Sequence, residues 1–226
     1  NATSLGLKET DKISLDYDAE CSSYKIYNPI IFNNIYSIQN ILLQLNKDDI
    51  IKYLRINQMW NVQIDKVTEI DLECTTFCNL KCPECNRTTD KGIIDSILNT
   101  THITLENCKT WFKPNELINL TDVRFCGAID EALMNPELTD ILDFFKDEFN
   151  SVNYIDIRTN GSVRTPEFWT KLVNHLPPKH IIVFGLDGLE DTLHIYRIGA
   201  DYKKVINNAK AFIDAGGIAS WQFIEF

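Results

Sequence analysis

From Lys66 onward, short apolar or β-branched runs alternate with longer stretches whose apolar residues recur at helical spacing, the signature of repeated βα units and a parallel sheet. Strands are predicted over 69–72, 122–126, 154–159, 181–186 and 219–226, bounded by turn residues such as Gly127, Asn160-Gly161 and Asp187-Gly188. A helix over 137–149 follows the Asn135-Pro136 start signal and gathers Leu138, Ile141, Leu142, Phe144 and Phe145 on one face. Another over 166–175 opens at Thr165-Pro166, groups Phe168, Trp169, Leu172 and Val173, and stops near Pro177-Pro178. A third over 201–215 carries Tyr202, Val205, Ala209, Phe212 and Ile213, with Gly216-Gly217 as its C-terminal cap.

The first 65 residues differ: they are rich in Asn, Ile and Tyr, alternate weakly over 23–31, and hold leucines and isoleucines at helical spacing around 38–54. An N-terminal extension over 1–65 is predicted, with a small hairpin before its helix, serving to cap the following domain or to recognise a substrate. The alternation over 66–226 suits either an open doubly wound sheet or a barrel. No G-x-G-x-x-G follows the first strand, so a dinucleotide-binding fold has no support.

Composition narrows the class. The chain has 226 residues, 44% hydrophobic and 24% charged, as expected of a soluble globular protein. No apolar run approaches the roughly 20 residues of a membrane helix, and no signal-peptide pattern opens the chain. The net charge of −10 repels a phosphate backbone and disfavours nucleic acid as a partner. Seven cysteines, an odd number with three clustered, argue against a disulfide framework and for a reducing compartment, which places the chain in the cytoplasm.

That cluster is the most informative chemistry. Cys78, Cys82 and Cys85 form a C-x3-C-x2-C run within Cys-Thr-Thr-Phe-Cys-Asn-Leu-Lys-Cys-Pro-Glu-Cys. Three close thiolates suit an iron-sulfur cube with one iron left open. Structural zinc competes, but it takes a closed set of four ligands, and the second knuckle is missing. Cys74 reads as the end of a strand, Cys108 and Cys126 as buried thiols, and His194 as an exposed or loop histidine.

This stretch resembles the cluster loop of radical S-adenosylmethionine (SAM) enzymes. The resemblance implies that Cys78, Cys82 and Cys85 hold a [4Fe-4S] cluster whose fourth iron is chelated by SAM, and that electron transfer cleaves SAM to a 5′-deoxyadenosyl radical. The implied fold is α/β, a partial (β/α)6 TIM-like barrel over 66–226, incomplete at its C-terminus. Further segments are similar to family motifs. Gly127 and the trailing Leu-Met-Asn-Pro fit the turn after the second strand, where Glu131, with Asp130 as alternative, pairs with the SAM ammonium. Ile157-Arg-Thr-Asn-Gly-Ser162 and Phe184-Gly-Leu-Asp-Gly188 resemble the ends of the third and fourth strands and carry Asn160 and Asp187 to the SAM ribose and carboxylate. Gly185 stands where relatives often have serine, so the resemblance implies one polar contact fewer there.

The segment from Asp191 to Gly199 resembles peptide-modifying members and offers Arg197 to a carboxylate of SAM or substrate. The resemblance also implies that Gln222 faces the adenine, beside backbone groups or Phe77. The implied partners are a peptide, protein or small-molecule substrate and an electron donor such as flavodoxin or ferredoxin, with no membrane. Peptide or protein modification is the leading activity. The alternatives are a small-molecule or nucleotide substrate in cofactor biosynthesis, and a non-catalytic iron-sulfur or zinc protein.

Overall fold

A computed structural model describes residues 64–85, 87, 101–125 and 130–225, with the backbone of 14–18 and 23–27. The chain divides into two compact units, Asn1–Ile64 and Asp65–Phe226. In the first, β1 (Ser14–Asp18) and β2 (Ser23–Tyr27) pair antiparallel, Ser14 opposite Tyr27 and Asp18 opposite Ser23. The alternation expected over 23–31 therefore supplies one arm of a hairpin whose other arm precedes it. The helix expected around 38–54 lies outside the described residues.

The second unit is built on a five-stranded parallel sheet in sequential order: β3 (Glu69–Asp71), β4 (Asp122–Phe125), β5 (Tyr154–Thr159), β6 (Lys179–Gly185) and β7 (Ala219–Gln222). Successive side chains of a strand point to opposite faces. Val123 and Phe125, Ile155 and Ile157, and Ile182 and Phe184 thus turn to one buried face. The register that aligns Asp71, Arg124 and Asp156 sets a charged row on the other.

The apolar face is covered by α1 (Leu105–Trp111), α2 (Leu138–Glu148), α3 (Pro166–Leu172) and α5 (Tyr202–Asp214); the single-turn α4 (Leu193–Tyr196) precedes α5. All five apolar residues expected on α2 are buried, and Trp169 of α3 is fully enclosed against Phe184 and Phe212. Gly216 at φ 94° ends α5: its N–H bonds Ile213 O at 2.9 Å while that of Gly217 bonds Phe212 O at 3.0 Å, the paired arrangement of a Schellman cap.

Several expectations need correction. Ile213 is 53% exposed rather than packed. It stands about 100° around the helix from Phe212, so Asn208 completes the buried arc instead. Helix α1 was not expected, because its seven residues show no sustained apolar period; its sequence signal is a capping box between Thr104 and Asn107. The final strand stops at Gln222, not 226, since the Ile224 N–H leaves the ladder to donate to Asp187 Oδ1 at 2.8 Å. The sheet is open: β3 and β7 end its order without pairing to each other, so a barrel is not closed among the described residues. Its β7 edge leaves Trp221 71% and Phe223 58% exposed. No helix among the described residues is long and apolar enough to cross a membrane.

Candidate functional site

After β3, residues 72–85 run past the C-terminal ends of the strands, where parallel α/β sheets put their ligands. Main-chain bonds hold this loop. Thr76 N–H donates to Thr101 O at 2.9 Å, Glu131 N–H to Phe77 O at 2.8 Å, and Lys81 N–H to Ile198 O at 3.0 Å. The segments that follow β3, β4 and β6 are thereby drawn together. Cys78, Cys82 and Cys85 open into one cavity of about 220 Å³, shared with Asp130, Glu131, Arg158, Asn160, Arg197 and Gln222.

The described cysteines carry free thiols. Burial pushes the Cys78 thiol up to about 11 and raises that of Cys82, so both hold their protons in the metal-free chain. Cys74 does not join them. It is fully buried in the core, its carbonyl accepts from Ile103 N and Asn135 Nδ2, and its thiol faces Ala132 O at 3.8 Å. Cys108 is likewise enclosed, and Cys126 lies outside the described residues.

Glu131 is a buried acceptor with capacity to spare. Its Oε1 takes Thr159 Oγ1 at 2.6 Å and Leu133 N at 3.4 Å, while Oε2 takes only Asn160 N at 2.7 Å. A carboxylate has about four acceptor positions, so Oε2 keeps one. Burial raises the Glu131 carboxyl above its usual range despite these bonds. Neighbouring Asp130 accepts from Thr75 N–H at 3.2 Å through Oδ2, but its buried Oδ1 has no partner. Burial, reinforced by Glu73 and Glu131, raises its carboxyl well above the ordinary value. Asp130 and Glu131 thus bring two neighbouring carboxyls to the cavity lining, a polar set that suits an ammonium.

Arg197 lines the same cavity. Its Nε pairs with Asp187 Oδ2, and its guanidinium occupies the space where a side chain on Gly185 would stand. The glycine expected to cost a polar contact instead makes room for a cation. Asp187 itself does not line the cavity; it acts through Arg197. Asn160 lines the cavity, but its side chain is turned to Asn79 and Cys78 rather than outward. Gln222 reaches the cavity from the end of β7, and Gly127 lies outside the described residues. Phe77 stacks on His102 with centroids 4.5 Å apart. His194 is exposed, on α4.

Arg158 and Thr159 were not anticipated. Arg158 alternates off the buried face of β5 into the cavity, with Asp156 3.9 Å away, and Thr159 orients Glu131. The signal was the strand period itself, which puts Arg158 on the face opposite Ile157.

The donor set fits both groups implied by the resemblance. Soft thiols suit iron-sulfur ligation, the orphaned Asp130 Oδ1 with the spare Glu131 position suits an ammonium, and Arg197 suits a carboxylate. Among the described residues, no three His, Cys, Asp or Glu side chains converge on a point that would hold one metal ion. A cube asks for a wider arrangement, because each thiolate takes its own iron.

No protein-family model matches the chain, and no curated protein matches it. Among solved structures it is similar to BtrN in complex with AdoMet and 2-DOIA, at 17% identity and a TM-score of 0.48, over 70% of this chain and 58% of that one. It is also similar to Streptococcus suis SuiB bound to S-adenosylmethionine, at 15% identity and a TM-score of 0.48, over 84% of this chain and 39% of that one. The chain thus spans less than two thirds of the length of either.

Proposed function

We propose that this chain is a radical SAM enzyme, or the catalytic portion of one, with the partial barrel of that family. The observation that carries the reading is the one cavity that Cys78, Cys82 and Cys85 share with Asp130, Glu131 and Arg197. The three cysteines hold a [4Fe-4S] cluster. When bound, that group supplies the electron for reductive cleavage of SAM, and hydrogen is then abstracted from an unactivated carbon of the substrate. Asp130 and Glu131 receive the SAM ammonium, Arg197 its carboxylate, and Gln222 lies toward the adenine. Burial of Asp130 and Glu131 keeps water from the two carboxyls, which strengthens their contacts. Peptide or protein modification remains the substrate class, on the resemblance of 191–199, with flavodoxin or ferredoxin as donor and a cytoplasmic location.

The placement of Cys74 supports a cluster over structural zinc, since the fourth thiol that zinc would recruit is enclosed in the core. The test is anaerobic reconstitution with iron and sulfide, followed by electron paramagnetic resonance of the reduced protein with and without SAM. A [4Fe-4S] signal that shifts on adding SAM is expected. A cluster indifferent to SAM, or none at all, overturns the reading.

A further inference from the structure

Asn79, Asn160 and Ser162 form a closed ring of hydrogen bonds beside Cys78. Asn79 Nδ2 donates to Ser162 Oγ at 2.9 Å, Ser162 Oγ to Asn160 Oδ1 at 2.7 Å, and Asn160 Nδ2 to Asn79 Oδ1 at 2.9 Å. The backbone N–H of Ser162 also donates to Asn160 Oδ1, at 2.9 Å. A backbone amide can only donate, so that bond settles which end of the Asn160 amide is oxygen. The turn that brings Ser162 back depends on Gly161 at φ 70°, where an added Cβ would also strike the Phe184 ring.

The donor count then closes. Both acceptor positions of Asn160 Oδ1 are filled by Ser162, and one Nδ2 hydrogen is used by Asn79. The remaining hydrogen has Cys78 Sγ before it, with nitrogen and sulfur 3.9 Å apart. Asn160 is itself only 5% exposed, so neither rotation nor water offers this N–H an easy alternative.

We propose that Asn160 is a positioning residue for the cluster rather than a SAM contact: its last amide N–H fixes Cys78 Sγ and sets how readily a cluster held there accepts an electron. This rests on the cluster reading above. An N–H aimed at a ligating sulfur draws off negative charge and favours the reduced, more negative state. Asn79, inside the cysteine loop, and Ser162, after β5, act through Asn160 by holding its amide in register.

The full chain is reconstituted anaerobically, and iron content and reduction potential are measured for wild type, Asn160→Leu and Asn160→Asp. All should load iron equally. Asn160→Leu should make reduction about tenfold less favourable, 59 mV for a one-electron couple. Asn160→Asp should move further in the same direction, because a carboxylate then faces the sulfur. Full loading with unchanged potentials overturns the inference and leaves the cluster reading standing. A wild-type chain that assembles no cluster overturns both. Should the variants fail to load, wild type carrying isotope-labelled asparagine decides by pulsed electron paramagnetic resonance: a coupling to an asparagine side-chain nitrogen supports the inference, and its absence sinks it.

Discussion

Asp187 holds Arg197 in place: its fully buried carboxylate pairs with the arginine Nε through one oxygen and accepts the Ile224 backbone N–H at 2.8 Å through the other. The guanidinium fills the space beside Gly185, and Arg197 lines the cysteine cavity. A glycine on a strand, an aspartate after it and an arginine beyond the next turn thus make one device. Its cost is borne by the fold, so a bound carboxylate need not order the side chain.

Gly185→Ala should displace that guanidinium and weaken SAM binding by about tenfold, ~1.4 kcal/mol, while the reconstituted protein keeps its cluster. Arg197→Lys should do the same, because a point charge cannot reproduce the planar fork. Calorimetric titration of SAM into each reconstituted variant measures this. Affinity equal to wild type would remove Arg197 from the site.

Cys82→Ala should abolish cluster assembly, whereas Cys74→Ala should retain it and lower only the thermal midpoint through the void left in the core. Iron content and visible absorbance after reconstitution separate the two. Loss of iron in both variants, with Cys74→Ala still folded, would make Cys74 a fourth ligand and close the open iron.

Glu131→Gln should destabilise the metal-free chain by about 1–3 kcal/mol. The carboxylate takes donors on both oxygens, and an amide must present its NH2 to one of them. Denaturant unfolding of the two chains under the same conditions gives the difference. A neutral result would mean that the turn before α2 can shift to accommodate the amide.

Asp143 gives a pH dependence with a definite sign. Burial pushes its carboxyl up, but the bonds from Lys146 and His175, each 2.8 Å, outweigh that and hold it below the usual carboxylate value. A group depressed in the folded state stabilises above its unfolded pKa, about 3.9, and loses that contribution as pH falls through the folded value. Because Asp143 is 37% exposed, the effect should not exceed about 1 kcal/mol. The stability difference between wild type and Asp143→Asn should be present near pH 6 and shrink progressively as pH falls below about 3.9. A difference that persists in acid would rule out this linkage.

Burial period made much of the framework readable from sequence. The strand 154–159 and the packed faces of α2 and α3 follow directly from apolar spacing, since one face of each must leave water. Residues that act through a partner were less visible. Asp187 and Asn160 were placed correctly near the strand ends, but only geometry reveals that one serves Arg197 and the other faces Cys78. Gly185 was read as a missing contact because a one-dimensional pattern cannot show what moves into vacated space. Helix α1 escaped for a different reason, being too short for a period and marked only by its cap.

The cysteine loop is fastened by main-chain donors at Thr76, Lys81 and Glu131 and by the side chains of Thr75, Thr76 and Asn79. Backbone bonds survive substitution. Lys81, Pro83 and Glu84 lie exposed on the loop, so changes of size or charge at these three positions should leave the placement of the thiols intact.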